Sequence, residues 1–175
     1  MLNYLKEIIF FPIFNLQLRV PFYDEIRFIF LKLSGANLQG RSVFYGNMTF
    51  RPYGGLSKLT IGEKCFLNEK IRVSCSKSKV SIGKYCLIGP NVSFECASHG
   101  IEYIEGKGRG LLSKDIFVRD RVWIGAGTII LGGVEIGDDV VVGANSLVNK
   151  DLEPGWIYYG IPAKKIKKIL KGVKK

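Results

Sequence analysis

His99 is the only histidine in this 175-residue chain, and imidazole is the side chain that titrates near neutrality without help from its surroundings. Such a ring can take a proton from a hydroxyl as that oxygen attacks an electrophile, an effect worth about 10²–10⁴ in rate. It stands one residue before a glycine-rich stretch, Gly100–Asp115, where a side chain should face outward into a cleft. The four cysteines, Cys65, Cys75, Cys86 and Cys96, include no Cys-x-x-Cys pair. They read as reduced thiols of a cytoplasmic protein, and no metal site is expected.

The formal charge is +11 and 47% of the residues are apolar. Those values describe one domain with a sizeable core, attracted to anions such as nucleic acid, anionic lipid or a phosphorylated cofactor. Seven lysines fall within Lys164–Lys175. No aromatics interleave them, which argues against stacking on a nucleic-acid strand, and no nucleic-acid partner is expected.

The elements that must position His99 follow from a six-residue beat. Val118, Ile124, Ile130, Ile136, Val142 and Val148 lead successive hexads, and small or β-branched residues such as Val122, Thr128, Val134, Val140 and Ser146 recur four places later. Upstream the spacing returns in three sets: Leu38, Phe44, Phe50; Ile61, Leu67, Val73; and Ile82, Ile88, Phe94. Three hexads make one three-sided coil, so the pattern predicts an all-β solenoid, a parallel β-helix of about five coils, each rising about 4.8 Å. Glycines directly after leaders, Gly125 and Gly143 among them, are expected at sharp corners. Cys65 and Cys86, like Cys75 and Cys96, are 21 residues apart, which predicts stacking on neighbouring coils. Between Phe94 and Val118 the hexads fail over 100–115, so an extruded loop without regular structure leaves the prism there as a binding element.

The N-terminal stretch is apolar but broken by Lys6, Glu7, Pro12, Arg19 and Pro21. No run of about 18 uncharged residues is present, so no membrane span is expected. Two amphipathic helices, about 3–11 and 23–34, are predicted instead, capping the first coil, with a seat on a membrane surface as the alternative. The chain thus divides into a helical cap over 1–35, a solenoid over 36–163 and a basic tail over 164–175, read as a short C-terminal helix.

Several passages carry a family signature: Ile88-Gly89-Pro90-Asn91-Val92 running into Ala97-Ser98-His99-Gly100, then Val122-Trp123-Ile124-Gly125-Ala126, then Val148-Asn149-Lys150-Asp151 and Gly160-Ile161-Pro162-Ala163-Lys164. In this order they resemble the hexapeptide-repeat acyltransferases over about 35–170, and within them the sugar O-acetyltransferases of the maltose, galactoside and polysaccharide-modifying type. The resemblance implies a left-handed helix, a homotrimer with active sites between subunits, and acetyl-CoA as co-substrate. Left-handedness runs against the usual crossover preference and comes from the resemblance alone.

Residue by residue, the resemblance makes His99 the general base. A glutamate from the loop beyond it fixes its tautomer in the family, and Glu102 and Glu105 are the candidates, though both come sooner than the family's glutamate. Asn68 matches an acceptor-holding asparagine, with a turn residue as its plain alternative. The family's acceptor-binding aspartate is replaced in the neighbourhood of Ser74, Cys75 and Ser76, which favours a larger or lipid-linked glycan over a simple galactoside. Trp123 is expected to line the acceptor and cofactor cleft on the same edge as His99, 24 residues earlier. Ala126 offers its backbone N–H to the oxyanion. Ala144 and Asn149 match contacts to the pantetheine arm and adenine end, and Lys150, Lys164 and Lys167 match basic positions near the phosphates, with Lys for Arg at two of them.

The expected function is therefore acetyl transfer from acetyl-CoA to a hydroxyl of a sugar or surface-polysaccharide precursor in a ternary complex. The passage Arg27–Ala36 resembles the lead-in of exopolysaccharide and lipopolysaccharide enzymes, and the expected location is cytoplasmic or peripheral to the inner face of the membrane. The alternatives are N-acylation of an amino sugar, serine acetylation, or a non-catalytic basic solenoid that binds glycan or membrane. A carbonic-anhydrase-like zinc prism would need three histidines per site from two chains, which one histidine per chain cannot furnish.

Overall fold

Inside each hexad the residues alternate as a strand requires: in Leu59–Ile61, Val80–Ile82 and Ile116–Val118 the ends are buried and the middle residue turns outward. The computed structural model describes residues 2–18 and 20–170. Over these the chain visits three parallel sheets in turn. The first face stacks Asn37–Leu38, Leu59–Ile61, Val80–Ile82, Ile116–Val118 and Glu135–Ile136. The second stacks Val43–Phe44, Phe66–Leu67, Leu87–Ile88, Trp123–Ile124, Val141–Val142 and Trp156–Tyr159, and the third Met48–Arg51, Ile71–Ser74, Ser93–Glu95, Ile129–Leu131 and Leu147–Val148. The hexad leaders and the residues four places on, Val122, Thr128, Val134, Val140 and Ser146, all point into one core. The two hydroxyls among these five stay paired: Thr128 Oγ1 and Ser146 Oγ donate to the Gly143 carbonyl, and Ser146 Oγ accepts from Gly160 N–H at 3.1 Å.

The corners differ from expectation in their reason. The left-handed backbone falls three residues after nine of the leaders, on Lys64, Lys70, Tyr85, Asn91, Arg121, Asp139 and Asn145 and, as glycines, on Gly127 and Gly133. A non-glycine residue in this conformation costs about 1–2 kcal/mol. Each is held because its N–H reaches the coil below, as in Lys64 N to Arg41 O at 2.7 Å and Asn145 N to Ala126 O at 2.8 Å. The glycines directly after leaders serve another end, which is close approach. A Cβ on Gly125 would lie 2.6 Å from Ala144 N, and one on Gly89 would lie 2.7 Å from Ala126 N.

The cysteines do stack coil on coil. Cys65 Sγ donates to Gly83 O at 3.0 Å and Cys86 Sγ to Arg119 O at 3.1 Å. All four are buried free thiols. Contact with the neighbouring thiol and then burial push Cys86 and Cys96 up, so they stay protonated.

Helices α1 (Leu2–Phe14) and α2 (Pro21–Leu33) cap the first coil. The first runs past Pro12 rather than stopping before it, because its last carbonyls find donors on the second helix. Tyr23 Oη donates to Ile13 O, and Arg27, buried and paired with Asp24 at 2.9 Å, donates to Phe14 O at 2.8 Å. Helix α2 opens at Pro21 itself, where a missing N–H costs nothing. Glu7 faces inward beside Phe11 and Phe14, with Oε2 accepting from Gly54 N at 2.9 Å and Leu56 N at 3.4 Å, while Oε1 is buried without a partner. Burial raises its pKa, against the pull of those backbone N–H groups.

The expected C-terminal helix is not formed at 164–168. Lys164–Lys168 is a strand, antiparallel to Trp156–Tyr159, which extends the second face. The exposed edge of that last parallel strand offers unpaired backbone groups, and pairing them outweighs helix formation in so short a basic run. Residues 171–175 of the expected helix lie outside the described residues.

Two outcomes are expected. Gly125→Ala should lower stability by about 1–3 kcal/mol in chemical denaturation, because the added carbon meets backbone rather than a movable side chain. For Glu7, a raised folded-state pKa means that protonation stabilises the fold and that this contribution is lost as pH rises through that pKa. Thermal melts of wild type should therefore gain on Glu7→Gln as pH falls from neutral through that pKa. Glu7→Ala, which strands two backbone N–H groups, should melt lower at every pH.

Candidate functional site

A groove of about 620 Å³ runs along the second face toward its corner with the third. Its floor is the glycine column Gly89, Gly125 and Gly143, and Pro90, Ala126 and Ala144 line it beside that column. Without a Cβ in the column, coils approach closely and the groove stays open to backbone. Ala126 N–H and Ala144 N–H have no acceptor among the described residues. Trp123 forms one wall, half exposed, paired in register with Leu87 below and Val141 above. Asn68 closes the lower end, its Oδ1 accepting from Glu69 N–H at 2.8 Å. It is thus both a turn residue and a groove residue.

Above Trp123 the same ladder climbs through Val141 and Ile157 to Lys167. At about 4.8 Å per rung that places Lys167 roughly 14 Å from Trp123. Lys164, three residues before Lys167 on the same strand, pairs with Tyr159. Lys165 is committed, with Nζ 2.5 Å from Glu153 Oε2 and 4.1 Å from the Trp156 ring, whereas Lys164 and Lys167 are exposed and have no carboxylate partner among the described residues. Asn68, Trp123, Ala126, Ala144, Lys164 and Lys167 therefore share one face.

His99 lies elsewhere. The stretch expected to be an irregular loop is a hairpin arm, with Ala97–His99 antiparallel to Leu111–Ser113 and the rungs ending on His99 and Leu111. Gly100 N–H donates to Gly110 O at 2.8 Å, and Ile104 bridges Gly108 near the tip. The glycines at 106 and 108 take positive φ there, which allows the tight reversal. The arm departs after the third face and returns into the first. His99 and Trp123 accordingly do not share an edge, contrary to the expectation from their 24-residue spacing. A coil consumes three hexads, so two positions share an edge only when whole coils separate them, and position 99 closes a third-face hexad whereas position 123 opens the second face.

Glu102 and Glu105 sit further out on the arm, exposed, and neither hydrogen-bonds His99 among the described residues. Both follow the last rung, so the strand pairing that holds His99 carries them away from it. Asn149 and Lys150 are exposed where the chain leaves Leu147–Val148, at the same third-to-first corner as the arm. Ser74 ends the third-face strand Ile71–Ser74, Cys75 is buried and Ser76 lies beyond it, so these three are a whole face away from Asn68. The chain carries two half-sites on different edges: the groove with its lysines, and the arm with His99. Leu87 and Phe66 also line the groove and escape notice in sequence. The signal was present, since both precede a leader as Trp123 does.

A three-faced coil with a glycine-floored groove and an extruded arm is the architecture of a repeat-built transferase. A profile described as bacterial transferase hexapeptide (six repeats) matches residues 115–150. A Lysinibacillus sphaericus protein named as a probable macrolide acetyltransferase is 33% identical over 71% of this chain and 68% of its own length. The maltose O-acetyltransferase of Clostridium difficile 630 superposes with a TM-score of 0.80 at 31% identity, covering 97% of this chain and 87% of that one. A hexapeptide-repeat acetyltransferase of Vibrio cholerae O1 biovar eltor, solved with acetyl coenzyme A, gives 0.81 at 27% identity over 97% and 88%. The chain belongs to the hexapeptide-repeat transferase family. It spans about half the length, or less, of other curated relatives that it matches.

Because Trp123 stands half exposed in the groove while Trp156 lies under Lys165, acrylamide should quench Trp123 preferentially. Trp123→Phe is expected to remove most of the quenchable emission with little change in melting temperature. Emission that stays equally quenchable in that variant would contradict the placement of the ring.

Proposed function

We propose that the protein is an acetyl-CoA-dependent O-acetyltransferase acting on a hydroxyl of a sugar or surface-polysaccharide precursor. In this reading the coils wind left-handed, as in the family, and three copies assemble so that the arm of one subunit meets the groove of its neighbour. The observation that carries the reading is the separation of the half-sites: His99 and the groove occupy different edges of one chain, so they complete a site when copies associate. A C3 ring makes that contact three times over with one interface.

The groove suits the donor. Pantetheine is a thin chain with amide groups, and the unpaired N–H groups of Ala126 and Ala144 along an apolar trough can take its carbonyl oxygens. Lys164 and Lys167 lie along the same face for the phosphates, and Asn149 and Lys150, which share the arm's corner, contribute in the same way as the arm, from a neighbouring copy. Lysine supplies charge without the bidentate fork of arginine, so the phosphates are held less directionally. Trp123 walls the cleft and Asn68 holds the acceptor end.

In the reaction His99 takes the proton from the acceptor hydroxyl as the oxygen attacks the thioester carbonyl. Negative charge moves to the carbonyl oxygen, where Ala126 N–H stabilises it. The C–S bond breaks as the charge returns, and the imidazolium gives its proton to the departing thiolate. No covalent enzyme intermediate forms, and the products are the acetyl ester and coenzyme A. Glu102 and Glu105 are available on the arm to orient the imidazole once a neighbour orders it.

Thiol release from acetyl-CoA, measured across a panel of sugar acceptors with mass-spectrometric identification of the product, tests the reading. His99→Ala should lose about 10²–10⁴ in kcat while acetyl-CoA still raises the melting temperature. Undiminished turnover in that variant overturns the assignment of the base, and an amide product overturns O-acetylation.

A further inference from the structure

Helix α1 is apolar on both sides. Its inward side is Glu7, Phe11 and Phe14, packed on the first coil and α2. By the 3.6-residue turn, Leu2, Leu5 and Ile9 fall on the opposite side, and they are 66%, 53% and 49% exposed. Leu18 and Phe22, between the helices and at the start of α2, continue the exposure at 49% and 68%. A surface helix of a globular protein ordinarily turns a polar face outward, and one that is apolar all round is covered by something.

The acids of the cap are turned inward or paired with arginines, which leaves two lysines unpaired among the described residues. The one acid of α1, Glu7, is turned into the protein, while its neighbour Lys6 is exposed. On α2, Asp24 is paired with Arg27 and Glu25 with Arg41 at 3.1 Å, leaving Lys32 exposed. Among the described residues neither Lys6 nor Lys32 has a carboxylate partner. The outward surface of the cap therefore carries apolar side chains and two lysines without a carboxylate partner, on a chain of formal charge +11. No described helix is long and apolar enough to cross a membrane.

We propose that this outer face of α1, with Lys6 and Lys32, docks the protein on an anionic bilayer surface. Leu2, Leu5 and Ile9 enter the headgroup and acyl boundary while the two lysines meet anionic headgroups. This goes beyond the proposed transfer reaction and rests on it only for its use: an enzyme seated this way meets acceptor glycans carried on membrane lipids. The docking itself depends on the helices alone.

The test is co-sedimentation with phosphatidylcholine vesicles and with the same vesicles containing phosphatidylglycerol. Wild type is expected to bind the anionic vesicles and to be released by salt. Leu5→Glu with Ile9→Glu, both at exposed positions, should weaken partitioning on the order of a hundredfold. Lys6→Glu with Lys32→Glu should weaken it about tenfold or more on anionic vesicles. Both pairs should keep the wild-type melting temperature and its rise with acetyl-CoA. No vesicle binding by a wild type that still responds to acetyl-CoA overturns the docking and leaves the transfer reading standing. Binding without a response to acetyl-CoA does the reverse. Equal binding to neutral vesicles overturns the anionic commitment, and concentration-dependent self-association that Leu5→Glu with Ile9→Glu abolishes assigns the face to a second copy.

Discussion

The distance between successive coils at the corners is the constraint from which the rest follows. Gly62, Gly89 and Gly125 each leave less than 3.0 Å between the position of a Cβ and the backbone of the next coil. That approach lets the left-handed residue after each corner donate its N–H downward, and the resulting ladder keeps every face in register. Register then stacks like on like: thiol on thiol at Cys65 and Cys86, leader on leader in the core, and glycine on glycine in the column that floors the groove. The groove is a by-product of the packing rule, because a column that must lack side chains to close the coils also leaves backbone exposed along its floor.

The same register explains why one chain holds only parts of the proposed site. A groove confined to the second face and an arm that leaves from the third cannot meet within a rigid prism. In the proposed trimer the arm of one copy meets the groove of the next without any change of fold, which makes the quaternary arrangement part of the proposed chemistry. The arm suits such a contact: Ile101 and Tyr103 are exposed beyond its last rung, a large apolar surface for so small an element to leave in water.

Much of the fold was legible because a hexad beat is a direct record of strand, corner and strand. Val118 through Val148 each proved to be a buried leader, and the failure of the beat after Phe94 marked the arm. What escaped was long-range. That His99 and Trp123 lie on different edges depends on counting coils rather than hexads. That Lys164–Lys168 forms a strand depends on an edge supplied by Trp156–Tyr159, which no local propensity of a lysine run encodes. The inward turn of Glu7 was hidden for the same reason, since its partners Gly54 and Leu56 are nearly fifty residues away. Individual roles of Asn68, Ala126, Ala144, Asn149 and Lys150 came from resemblance, because backbone donors and small residues leave no chemical mark of their own in a sequence.

The most direct measurement of the central claim is subunit complementation. His99→Ala and Trp123→Ala chains, each purified as an inactive oligomer, would be mixed under conditions that exchange subunits and assayed for thiol release from acetyl-CoA, with native mass spectrometry counting the mixed species. If the arm of one copy completes the groove of the next, mixed oligomers contain intact sites and activity returns in proportion to them. Mixed oligomers that form and stay inactive would contradict the account, because every site would then be built within one chain and carry one lesion or the other.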